Sequence, residues 1–166
     1  AGGRAENSLD VPIRYVVANP STFLYIGPER AVEGRTDTFA VPTDPGCTDY
    51  DIWHYGLQGL NTYMSGFSLA GIRQNLTTRD VQVMVGDRDL QTADLDMSCG
   101  AMFQGERRYH RGLILAAYMD RFWPGHHHVL TVVPGIGHSS RGMFTSQEGL
   151  GVLFPAVQPV LDRSVP

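Results

Sequence analysis

Three short apolar runs set the frame of this chain. "IRYVVA" (13–18), "VQVMV" (81–85) and "VLTVV" (129–133) are rich in β-branched residues, and each stops at a turn signal: "NPS", "GDRD" and "PGIG". Uninterrupted apolar runs of this length suit strands of a parallel sheet covered on both faces. Elsewhere the apolar spacing becomes helical, over "SGFSLAGIRQNLTTR" (65–79), "ERRYHRGLILAAYMDRFW" (106–123) and "RGMFTSQEGLGVLF" (141–154). The middle one opens on charge and has Leu113, Ala117 and Met119 among its apolar positions. Strands alternating with helices in this order predict an α/β architecture with right-handed crossovers.

One stretch breaks the alternation. Residues 19 to about 62 are rich in Pro, Gly, Asp and aromatics. A loop this long inside a compact domain is either a lid or binding loop, or a surface excursion packed on its own Trp53 and Tyr55. There is no internal repeat and no low-complexity tract.

Composition narrows the class. The chain has 166 residues, 42% of them hydrophobic and 18% charged, enough for one domain with a real core and unlike a disordered segment or a coiled coil. A formal net charge of −4 argues against a general nucleic-acid binder, which wants a basic stripe. All 13 basic residues are Arg, a feature of base composition more than of chemistry. No stretch has the roughly 20 apolar residues of a membrane span, and "AGGRAENSLD" (1–10) lacks the apolar core of a signal peptide. The first strand-like run begins about a dozen residues in, without an initiator Met, and this suggests that the chain starts inside something larger. Cys47 and Cys99 allow one disulfide or none. Together with the glycosylation-type "NLT" at Asn75, they lean toward a secreted protein.

Chemistry in a parallel α/β sheet collects at the carboxyl ends of the strands. The second run ends in "VGDRDLQ", which offers Asp87 and Asp89; the third ends in "VPGIGHSSRGMF", which offers His138 in a glycine-rich turn. If the two strands are neighbours, their loops emerge about 4.8 Å apart. A carboxylate can then fix the tautomer of an imidazole whose other nitrogen takes a proton from a nucleophile. Either carboxylate could serve, since such a turn can also use one of them to bind backbone amides.

A strand ending in Gly-x-x-Asp, then a helix, then a strand ending in Pro-Gly-x-Gly-His resembles the C-terminal half of an α/β-hydrolase, over about residues 13 to 155. "RYVVANPSTFLY" and "CTDYDIWHYGL" also look like an esterase-type branch of that superfamily. The resemblance implies the order Ser, Asp, His, with Asp89 as the acid and His138 as the base. It implies a small ester as substrate, no cofactor, and a flanking sheet to the N-terminal side of "IRYVVA".

The chain departs from the superfamily in having no Gly-x-Ser-x-Gly. The nearest approach is "GFSLA", with Ser68, which lacks the strand expected before the nucleophile. The expected partner is therefore a preceding segment or separate chain bearing the serine and the oxyanion hole. The alternatives are a non-catalytic binding or assembly subunit, and a self-contained hydrolase using Ser68. Phe39, Trp53, Tyr55 and Tyr63 suggest an apolar acyl or aryl group, and the excursion is expected to cover the mouth of the site.

Other candidates have plainer readings. "HHH" (126–128) lacks the third or fourth convergent ligand that zinc requires, so no metal is expected. Ser139, Ser140 and Arg141 either touch substrate or cap the following helix. Cys99 has no base placed beside it and reads as structural rather than nucleophilic.

Overall fold

The strand over residues 80–86 is buried on both faces and takes the centre of the main sheet. The computed structural model describes residues 11–155. In chain order its elements are β1 (Arg14–Ala18), β2 (Arg30–Ala31), β3 (Phe39–Ala40), α1 (Leu69–Thr78), β4 (Asp80–Gly86), α2 (Cys99–Met102), α3 (Arg108–Phe122), β5 (His128–Val133), α4 (Ser140–Thr145) and α5 (Gln147–Leu153). The main sheet has the order β1-β4-β5, all parallel. This is the α/β class and the parallel sheet expected. The glycine-poor, β-branched runs form the three strands, with no bound shifted by more than one residue.

Burial on both faces holds for β4, where every residue after Asp80 is buried. It does not hold for its neighbours: Val17 on β1 and Val129 and Val132 on β5 are exposed. Each of these strands has one strand partner among the described residues. On one face Val81, Val83 and Val85 pack with Leu115, Tyr118 and Met119 of α3, Ile72 of α1, and Tyr25 and Ile26. On the other face Met84 and Val133 meet Met143 of α4 and Val152 of α5.

The last helical pattern, expected as one helix over 141–154, is two. Ser146 adopts extended backbone and its hydroxyl accepts from the Gly149 amide, so it ends α4 and caps α5. Ser139 caps α4 in the same way, through the Gly142 amide.

The excursion is an integral part of the fold. It carries the short antiparallel pair β2–β3 and gives Tyr25 and Ile26 to the core. Phe39 packs edge-on against Tyr118 and Phe122. Its centre is the buried guanidinium of Arg30, which donates to the carbonyls of Gly27, Glu29, Tyr50 and Tyr55 and to the Asp51 carboxylate. A charge that deep is tolerated because so many acceptors converge on it.

Cys47 and Cys99 form a disulfide, with Cα atoms 5.8 Å apart, which ties the excursion to α2. The bridge spans 52 residues, a loop whose closure removes much entropy from the unfolded chain. Replacing both cysteines by serine should lower the unfolding free energy by about 2–4 kcal/mol, read as a lower denaturant midpoint with a steeper slope, because the unfolded chain without its cross-link exposes more surface.

The His-rich run is structural. His126 bonds Asp120 and accepts from the His128 amide, while His128 Nε2 lies 2.7 Å from the Leu76 carbonyl. That carbonyl can only accept, so Nε2 carries the proton. Burial pushes the His128 ring below its ordinary 6.5, against the pull of the Leu76 carbonyl. A depressed histidine favours folding while neutral. Its contribution is complete above pH 6.5 and is lost as the pH falls, because the unfolded chain takes the proton first. The carboxyls of Asp80 and Asp96 are held below 3.8 and so act in a separate, more acidic window. Thermal unfolding measured between pH 7.5 and 5 should therefore show a falling midpoint that flattens in His128→Gln.

Candidate active site

The acid turn and the histidine loop are built against each other. β4 and β5 end level, with Gly86 opposite Val133. The turn after β4 closes with the Asp89 amide donating to the Gly86 carbonyl, and the Arg88 amide reaches across to the Ile136 carbonyl. Gly86 is needed here, because a Cβ would overlap the Ile136 carbonyl. Gly135 supplies the left-handed residue, at φ 74°, that turns the chain back after β5.

This arrangement separates the two carboxylates of "GDRD". Asp87 Oδ1 accepts from the Gly135 amide at 2.7 Å, so it binds loop backbone. Asp89 Oδ2 lies 2.9 Å from His138 Nδ1. The Asp89 side chain is 0% exposed and that of His138 is 46% exposed. The imidazole thus has one edge on a buried carboxylate and half its surface open. Among the described residues, Nε2 has no hydrogen-bond partner and is the nitrogen available to a reactant. Arg88, between the two acids, is exposed.

Two further residues stand at these strand ends, Asn19 and Arg108. Asn19, at the carboxyl end of β1, adopts φ 46°. Its amide side chain accepts from the Gly86 amide and donates to the Gly137 carbonyl. It therefore joins the acid turn to the residue before His138. Arg108, in the first turn of α3, is buried beside Asp89. It was legible in part, since stepping back along the α3 core face from Leu115 and Tyr118 lands on Arg111 and Arg108.

Ser68 does not occupy a strand-to-helix turn. It follows the 3-10 turn Met64–Gly66 and caps α1, its hydroxyl accepting from the Gly71 amide. The aromatic residues of the excursion have partners of their own. Trp53 packs on the main core, the Tyr55 hydroxyl meets Asp96 and Ser98, and Tyr63 stacks edge-on against Phe67. A cavity of about 550 Å3 opens beside α2 and α3, lined by Val32, Phe103, His110 and Ile114 among others; neither Asp89 nor His138 lines it. Cys47, Asp49 and Cys99 form a compact donor group, but their sulfurs are spent in the disulfide.

The fold is shared with solved hydrolases. LpqC, a poly(3-hydroxybutyrate) depolymerase from Bordetella parapertussis, superimposes with a TM-score of 0.54 at 24% identity over 88% of this chain. Poly(aspartic acid) hydrolase-1 from Sphingomonas sp. KT-1 does so with a TM-score of 0.51 at 23% identity over 78%. The fold is of the α/β-hydrolase type. The chain covers 42% of the first of these proteins and 41% of the second. No family model matches the sequence, and no curated protein does.

Proposed function

We propose that this chain supplies the acid and the histidine of a Ser-Asp-His triad, in a hydrolase that transfers the acyl group of an ester to water. The observation that carries the reading is the 2.9 Å contact between Asp89 Oδ2 and His138 Nδ1 at the ends of adjacent parallel strands. In this mechanism His138 Nε2 takes the proton of a serine hydroxyl as it attacks the ester carbonyl. Asp89 holds the Nδ1–H tautomer and stabilises the imidazolium. The proton then passes to the leaving alcohol, and water repeats the sequence on the acyl-enzyme. Each group is in the half of the geometry it needs: the acid dry, the base half-exposed.

The serine comes from outside the chain, on a preceding segment or a second polypeptide that also brings the oxyanion hole. The absence of Gly-x-Ser-x-Gly from the sequence supports this reading, and so does the capping role of the Ser68 hydroxyl at α1. An ester fits the name of the first structural relative, a poly(3-hydroxybutyrate) depolymerase. The excursion borders the site where Asn19 holds the histidine loop, which suits a segment that shapes the entrance.

The test is hydrolysis of a chromogenic ester by the chain alone, by the protein including its nucleophile-bearing segment, and by Ser68→Ala in that protein. The expected result is no turnover by the chain alone and undiminished turnover by Ser68→Ala. Robust turnover by the chain alone that Ser68→Ala abolishes would transfer the nucleophile's role to Ser68.

A further inference from the structure

Asp89 has a second partner besides His138. The Arg108 side chain is 1% exposed, and its Nη1 lies 3.5 Å from Asp89 Oδ1, the oxygen that His138 does not use. The same guanidinium donates through Nη2 to the Ala93 carbonyl at 2.8 Å and through Nη1 to the Gln91 carbonyl at 3.4 Å. Its Nε is buried without a partner. A buried guanidinium with an unsatisfied N–H is costly, so what it does for its neighbours must offset that cost.

We propose that Arg108 is a positioning residue that keeps Asp89 an ionised, fixed acceptor for His138. The proposal rests on the catalytic reading of that pair. A carboxylate with no exposed surface is expensive to ionise unless it is paired. His138 alone does not pair it, because a histidine that is to act as a base is neutral at rest.

Among the described residues, the permanent cation that reaches the Asp89 carboxylate is Arg108. In its own turn, Asp87 is committed to the Gly135 amide and Arg88 is exposed. From the histidine loop comes His138 itself. From α3 the Tyr109 amide reaches the Asp89 main-chain carbonyl, and Arg108 reaches the carboxylate. The acid is thus divided, one oxygen facing a fixed charge and the other an imidazole. At 3.5 Å the Arg108 contact is long for a hydrogen bond, so it acts mainly through its charge. The two carbonyl contacts hold the guanidinium still and staple the loop after the acid turn. The consequence for chemistry is the tautomer. While Asp89 is ionised it can only accept, so the imidazole proton stays on Nδ1 and the lone pair on Nε2.

The experiment compares Arg108→Lys, which keeps a charge, with Arg108→Gln, which keeps donors for the carbonyls and loses the charge. Both are made in the protein that includes the nucleophile-bearing segment. The readout is the ring nitrogen spectrum of His138 in 15N-histidine-labelled protein, assigned by its loss in His138→Ala. The Nδ1–H form is expected in wild type and Arg108→Lys, and a mixture or the Nε2–H form in Arg108→Gln. Ester kcat/KM should fall about 10–100-fold in Arg108→Gln, the range found when the outer partners of metal-bound histidines are removed, and recover largely in Arg108→Lys. If the two folded variants behave alike, retaining or losing the Nδ1–H form together, the proposal is overturned. The spectrum needs no turnover. If His138→Ala leaves ester hydrolysis intact, the hydrolase reading falls while the tautomer still decides the role of Arg108.

Discussion

Replacing His138 by alanine, in the protein that carries the nucleophile, should lower kcat by about four to six orders of magnitude. Among the described residues at these strand ends, His138 presents a ring nitrogen, Nε2, with no hydrogen-bond partner, and in the proposed mechanism that nitrogen is the proton acceptor for the serine hydroxyl. KM should change little, since binding does not depend on the base. The fold should survive, because the ring is half-exposed and its bond to Asp89 is the sole side-chain hydrogen bond it makes among the described residues. Steady-state kinetics with an unfolding curve for the same sample check both halves. A variant within tenfold of wild type would remove His138 from the mechanism.

Asp89→Asn should lower kcat by about 10^4. The amide has nearly the shape of the carboxylate but offers an N–H2 where the acid offered a lone pair. Presented to Nδ1, it favours the wrong tautomer and does not stabilise the imidazolium. It also leaves the Arg108 charge buried without its counter-ion, so the melting temperature should drop as well. Assay well below that temperature separates the two effects. Asp87→Asn is the control. Its oxygen binds the Gly135 amide, which an Asn carbonyl can still do, so activity should stay within a few-fold of wild type. The opposite ranking of the two variants would reverse the assignment of the acid.

The strands and the acid–histidine meeting were legible because each depends on short-range pattern. β-Branched runs mark β1, β4 and β5, and glycine marks the turns at Gly86 and Gly135 where backbone crosses backbone or φ is positive. Residue pattern alone left Asp87 and Asp89 both open, since the choice rests on which oxygen meets a loop amide and which meets a ring; the resemblance pointed to Asp89, and Asp89 is the one that meets His138. The internal order of the excursion was hidden for a similar reason. Arg30 organises it through main-chain carbonyls, and these leave no trace in side-chain periodicity. The break at Ser146 was readable as a cap inside a helical pattern, but the apolar spacing ran through it. Arg108 and Arg111 were hidden by their chemistry, because a charged residue on a helix is read as solvated unless the core face is traced back through it.

The parallel pairing of β1 with β4 has a consequence for how the chain folds. β1 and β4 join residues 66 positions apart, as in Arg14 with Asp80, whereas the acid and the histidine are 49 apart. Contacts of such separation come late and slowly in folding. The segment from β4 to the loop after β5 contains both Asp89 and His138. β1 is joined to it through the excursion, so the β1–β4 pairing closes the longer loop. Asp89 and His138 would then meet before β1 completes the described sheet, so a defect in the excursion should slow the joining of β1 more than the meeting of the carboxylate and the imidazole.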